Sequence, residues 1–192
     1  MHVSDLLELT LPMPDEQLVF AHTVEALFEN ALGDKLTAKA RDRLKSRGLN
    51  LDWKLPAYPR TQFHEWVQIA AEEVHPGIPR GRALEQIGMS VIAGYEKTLL
   101  GRALVAAGRL MGPKRTLTRM THNFRSTSNY LETRLTELGT NSYDLWINET
   151  SGVPEYYRGV MIAVITEAGG KDVRVDMRPE SGGACTYRIS WK

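Results

Sequence analysis

The chain has 192 residues, 42% hydrophobic and 24% charged, with 24 Lys and Arg set against 23 Asp and Glu. That length fits one domain of roughly 100 to 150 residues with a small appendage, the composition excludes disordered and fibrous classes, and a formal charge of +1 excludes a global cationic field. A single cysteine, Cys185, excludes an internal disulfide or a thiolate cluster; it reads as a strand residue in a protein of a reducing compartment.

Residues 1–15 carry His2, Asp5 and Glu8 without a basic region and end in Pro12 and Pro14, so they read as an arm or an added strand, not a targeting segment. From 16 to 32, Leu18, Val24, Leu27, Phe28 and Leu32 recur at steps of three and four, which predicts an amphipathic helix closed by Gly33. Leu36, Ala40 and Leu44 predict a short second helix ended by Gly48, and 49–59, with Trp53, Pro56, Tyr58 and Pro59, reads as a loop. Phe63, Trp66, Val67, Ala70 and Val74 mark a third helix that Pro76, Gly77 and Pro79 stop.

A fourth helix is predicted over 80–110. Glu96, Lys97, Arg102 and Arg109 interrupt its apolar run, so no stretch reaches the roughly 18 apolar residues of a membrane span, and the chain reads as cytoplasmic. Gly88, Gly94 and Gly101 each cost roughly 1 kcal/mol against alanine inside a helix, which predicts a break near Gly94 or close packing. Gly112 and Pro113 restart the chain into a fifth helix over 114–127.

After Ser128 the period changes to two. Leu131, Thr133 and Leu135, then Tyr143, Leu145 and Ile147, predict a hairpin around Gly139, Thr140 and Asn141. Pro154 opens a helix with a Tyr157, Val160, Met161, Val164 and Ile165 stripe, closed by Gly169 and Gly170. A second hairpin turns at Gly182 and Gly183, with Val173, Val175, Met177, Tyr187, Ile189 and Trp191 on its inner face. The sum is a single α+β domain over 1–192: an arm (1–15), a helical part (16–127) and a β-β-α-β-β part (128–192) forming a four-stranded antiparallel sheet with helices on one side.

The chemistry is sparse. The five histidines show no HExxH or HxxxH spacing and no neighbouring carboxylate cluster, so no metal site is expected. No GxSxG, GxGxxG or GxxxxGK[ST] motif is present, and the chain reads as non-enzymatic. The fifth helix stands out: at roughly 100 degrees per residue, Leu117, Met120 and Phe124 share one arc while Arg115, Arg119, His122 and Ser126 gather opposite, flanked by Lys114 and Arg125. That face offers several donors to a phosphate or carboxylate ligand, or it is simply solvated. Trp53, Trp66, Trp146 and Trp191 could line a pocket, but tryptophans at helix and strand positions are more often core.

The segments AGYEKTLLGRAL, GPKRTLTRMTHNFRSTSNY, VPEYYRGVMIAVITEAGG and YRISW together resemble a paralogous family of unknown function found in myxobacteria, whose members have about this length. More distantly, the order of elements resembles the haem-nitric oxide/oxygen binding (H-NOX) domain, including a Tyr58-Pro59 step and a late helix bearing a histidine. His122 stands where that family's proximal haem ligand would be, and the place of its propionate-holding YxSxR motif is taken by Trp146, Asn148 and Thr150. The resemblance implies an H-NOX-like fold that has lost the propionate clamp: a regulatory or interaction module without a cofactor, taking a small ligand or a regulatory protein partner. The alternatives are a haem-binding gas sensor with His122 as axial ligand, and phosphate or nucleic-acid binding through Arg115 and Arg119, of which the balanced net charge disfavours nucleic acid.

Overall fold

The computed structural model of the chain describes residues 16–192, and the arm expected over 1–15 lies outside them. Alternation in the last third of the sequence becomes an antiparallel sheet of β3 (Thr133–Gly139), β4 (Ser142–Ile147), β5 (Arg174–Pro179) and β6 (Cys185–Ser190), ordered β3-β4-β6-β5. The register sets Leu145 beside Tyr187 and Val175 beside Ile189, so the inner face is continuous, and all four side chains are buried. Between the hairpins runs α6 (Pro154–Glu167), whose Tyr156, Tyr157, Met161 and Ile165 are buried. The β-β-α-β-β reading holds strand by strand.

The helical part follows the periodicity with two exceptions near its start. Residues 16–20 do not extend the first helix: β1 (Leu18–Phe20) pairs antiparallel with β2 (Ala57–Pro59), inside the segment expected as a loop. The reason is non-local. Val19 and Tyr58 are buried as a cross-strand pair, and a strand whose partner lies some 40 residues away leaves no local period to read. The first helix, α1, covers Ala21–Val24 and passes into a π-helical stretch over Glu25–Ala31, which still turns Leu27 and Phe28 into the core. Then come α2 (Ala38–Ser46), α3 (Arg60–Val74) and α4 (Arg80–Glu96).

The long apolar run does break, but at Thr98, whose hydroxyl caps the next helix by accepting from the Gly101 amide at 2.9 Å. Gly94 serves close packing instead: a Cβ there would stand 2.0 Å from the Ala26 carbonyl oxygen. Helix α5 (Leu99–Thr127) is bent at Gly112 (φ 76°, ψ 171°), backbone that only glycine adopts readily, beside Pro113. The bend folds its arms, 99–111 and 113–127, toward each other, and the Thr116 hydroxyl donates to the Gly108 carbonyl at 3.2 Å.

Helices α4 and α6 cross at two opposed glycines. A Cβ on Gly88 would meet the Tyr156 carbonyl oxygen at 2.0 Å, and one on Gly159 the Glu85 carbonyl oxygen at 2.0 Å. Glu85, buried in this crossing, is held by Arg158 at 3.0 Å and Arg82 at 2.9 Å. One buried apolar cluster runs from Val19 through Phe28, Phe63 and Trp66 to Tyr187 and Trp191, joining helices and sheet. Among the described residues no helix is long and apolar enough to cross a membrane.

Candidate functional site

The crossing of α4 on α6 leaves room on one side, and the bent α5 covers it. The resulting cavity, about 260 Å³, is walled by Val91 and Tyr95 of α4, Leu104, Met120 and Phe124 of α5, and Tyr156, Tyr157 and Val160 of α6. Its remaining wall is β1 and the segment after α5. Leu18 donates its amide to Asn129 Oδ1 at 2.7 Å, and Asn129 returns its own amide to the Leu18 carbonyl at 3.1 Å. Val19 bridges to Ser128. This clasp brings Thr23, Ser128 and Tyr130 to the cavity, where they add hydroxyls to a mainly apolar lining.

The polar end is built on Tyr157. Its hydroxyl lies 3.4 Å from Nε2 of His64, whose Nδ1 lies 3.0 Å from the Ser151 carbonyl oxygen. A carbonyl can only accept, so Nδ1 carries the proton, Nε2 is the bare nitrogen, and the Tyr157 O–H donates to it. Burial, with the Arg60 guanidinium nearby, lowers His64 to about 4, so the ring is neutral at physiological pH. Arg60 is itself paired with Glu149 at 3.1 Å. Burial raises Tyr130 to about 12 and pushes Tyr156 and Tyr157 well above the ordinary phenol value; all three stay protonated. The Tyr130 hydroxyl is buried beside that of Tyr157 and makes no hydrogen bond of ordinary geometry.

The residues singled out from the sequence lie elsewhere. The helical wheel of the fifth helix is correct, since Leu117, Met120 and Phe124 are buried while Arg115, Arg119, His122 and Arg125 are exposed. Arg115, Arg119 and Arg125 form no ion pair among the described residues, whereas Lys114 pairs with Glu137 at 2.8 Å. Arg119 and His122 share a second recess of about 360 Å³, in the bend of α5, with Leu104, Gly108 and Met111. None of the four lines the inner cavity.

Trp146, Asn148 and Thr150 also lie outside the cavity, each committed to the protein. The Trp146 ring packs under the Arg134 guanidinium, 4.4 Å from its centroid. Asn148 accepts from the Glu132 amide at 2.8 Å and donates to the Tyr130 carbonyl at 2.9 Å. The Thr150 hydroxyl donates to the Gly183 carbonyl at 3.0 Å.

What the sequence reading missed is the His64, Tyr130 and Tyr157 group. No spacing rule links His64 to Tyr157, 93 residues away, and the Tyr157 stripe signals a packed helix face. Chemically the group offers one neutral donor at the end of a mainly apolar pocket. Among the described residues, no three of His, Cys, Asp and Glu are grouped to hold a metal ion.

No curated protein matches the chain. Among solved structures it is similar to an H-NOX protein from S. oneidensis in the Fe(II)NO state, at 10% identity and TM-score 0.67 over 90% of this chain and 99% of that one. An unliganded Fe(II) H-NOX mutant from K. algicida gives 12% and 0.66, over 90% and 96%. The IWP-051-bound H-NOX from Shewanella woodyi in the Fe(II)CO state gives 12% and 0.60, over 90% and 94%. The fold is therefore that of H-NOX domains, and because the model of the DUF2378 family, proteins of unknown function, matches residues 17–192, the chain belongs to that family.

Proposed function

We propose that this protein is a non-enzymatic regulatory or interaction module, haem-free, whose inner cavity takes a small ligand and passes its occupancy to a protein partner. The observation that carries this reading is the cavity's size and lining. A cavity of about 150 Å³ holds benzene, so one of about 260 Å³ admits roughly two fused rings; a tetrapyrrole is too large for it. Haem also brings two carboxylates, which need cationic or strong donor partners when buried. Among the described residues the lining has no lysine or arginine, and its one imidazole is His22. Size and lining together favour a smaller, uncharged occupant over haem in the inner cavity.

A second reading keeps haem, as in the solved neighbours, one of which was used to probe haem distortion in the H-NOX family. What favours it is the second recess, where His122 offers an axial nitrogen and Arg119 a cation. The absorption spectrum separates the two. Expression with haem supplementation is expected to give a colourless protein; a Soret band that disappears in His122→Ala establishes the haem protein and ends the haem-free reading.

A further inference from the structure

The inner cavity ends on a donor held without a hydrogen bond of ordinary geometry, beside the Tyr157 oxygen. Tyr130 is 8% exposed, lines the cavity, and buries a hydroxyl that no ordinary hydrogen bond satisfies. An unmet buried donor costs on the order of 1–3 kcal/mol, so a group that satisfies it is favoured there. Tyr157 cannot supply its own proton to a ligand, because the Ser151 carbonyl fixes the His64 tautomer and His64 takes the Tyr157 proton. Tyr130, next to Tyr157 but without a well-formed bond to it, is thus the donor of the pair that can turn to a ligand.

We propose that the cavity selects an uncharged, mainly apolar ligand of about two fused rings, with one carbonyl-type acceptor that takes the Tyr130 O–H. The inference rests on the small-ligand reading above and adds the ligand's class. Neutrality follows from the walls: a carboxylate or phosphate would be buried where, among the described residues, no lysine or arginine lines the cavity. The Arg60 guanidinium, which influences both Tyr130 and His64, does not line the cavity; Glu149 pairs with one of its terminal nitrogens, while its Nε is buried without a hydrogen bond. The one acid of the lining, Glu167, already pairs with Arg109, so a cationic ligand finds no free counter-charge.

The test is calorimetric titration of the full chain with three probes of nearly equal size: 2-acetylnaphthalene, 2-ethylnaphthalene and 2-naphthoate. The ketone is expected to bind about two- to tenfold more tightly than the hydrocarbon, the worth of one net hydrogen bond. Tyr130→Phe should bring the ketone down to the hydrocarbon's affinity and leave the hydrocarbon unchanged. It should also melt no lower than the parent, since it removes an unmet hydroxyl. The bound ketone's carbonyl stretch should lie below its value in an apolar solvent, and return to that value in Tyr130→Phe.

Equal affinities of ketone and hydrocarbon, or a ketone preference that survives Tyr130→Phe, overturn the role of Tyr130 while leaving a ligand cavity in place. Naphthoate binding as tightly as the ketone overturns neutrality. If no probe binds, the small-ligand reading itself fails, and this inference with it.

Discussion

His64 is a histidine that folding forces to remain neutral. In the unfolded chain it titrates near 6.5, and in the folded protein it is lowered to about 4 by burial and by Arg60. Between those values the unfolded state binds the extra proton, so its contribution to stability is complete above about pH 6.5 and is lost as pH falls toward 4, by on the order of 1 kcal/mol per pH unit. The groups facing it are Arg60, Glu149 and Tyr157. Denaturant unfolding across this range should therefore slope more steeply in the parent than in His64→Gln; equal slopes would refute the buried neutral ring. His64 shows how little a residue type reveals alone. As one of five histidines it has no metal spacing, and its role appears only when Ser151 and Tyr157, far along the chain, meet its two nitrogens.

The α4–α6 crossing is governed by two residues that have no side chain. Gly88 and Gly159 each face the other helix's backbone at a distance no Cβ tolerates. Alanine at either must push the helices apart, at a cost of about 1–3 kcal/mol or more, the range of overpacked cores. The two replacements should be less than additive, because one separation relieves both clashes; thermal melts of the singles and the double variant check this, and strict additivity would show that each glycine acts alone. The same shift would widen the cavity, since Tyr156 and Tyr157 ride on α6. The glycines were legible as a sign of close packing or a break. Which glycine did which was not, because Gly94 and Gly88 differ only in what lies opposite: the Ala26 carbonyl for one, the Tyr156 carbonyl for the other.

Across the whole molecule, charge and cavity are separate. Residues 97–131 contain seven lysines and arginines and no acid, although the chain as a whole is nearly balanced, and the exposed Arg115, Arg119 and Arg125 stand on the outside of α5 while the apolar cavity lies behind it. A neutral ligand in the cavity should bind with an affinity indifferent to salt, whereas an acidic partner on the arginine face should weaken as ionic strength rises and be lost in the Arg115→Glu, Arg119→Glu double variant. Ketone titrations at low and high salt decide the first point: a strong salt dependence would place the ligand on the cationic face.

By itself the sequence determined whatever depends on near neighbours. The period of two fixed both hairpins, the period of 3.6 fixed α2 to α4 and α6 and the dry and cationic faces of the later α5, and Gly112 with Pro113 marked its bend. Only the tertiary structure decided that 18–20 pairs with 57–59 and that the dry face of α5 closes a cavity instead of packing solidly. The same is true of the orphaned hydroxyl of Tyr130, which ends beside the Tyr157–His64 pair. Those depend on which distant surfaces meet, and burial and hydrogen-bond partners are properties of the assembled core, not of any stretch of chain.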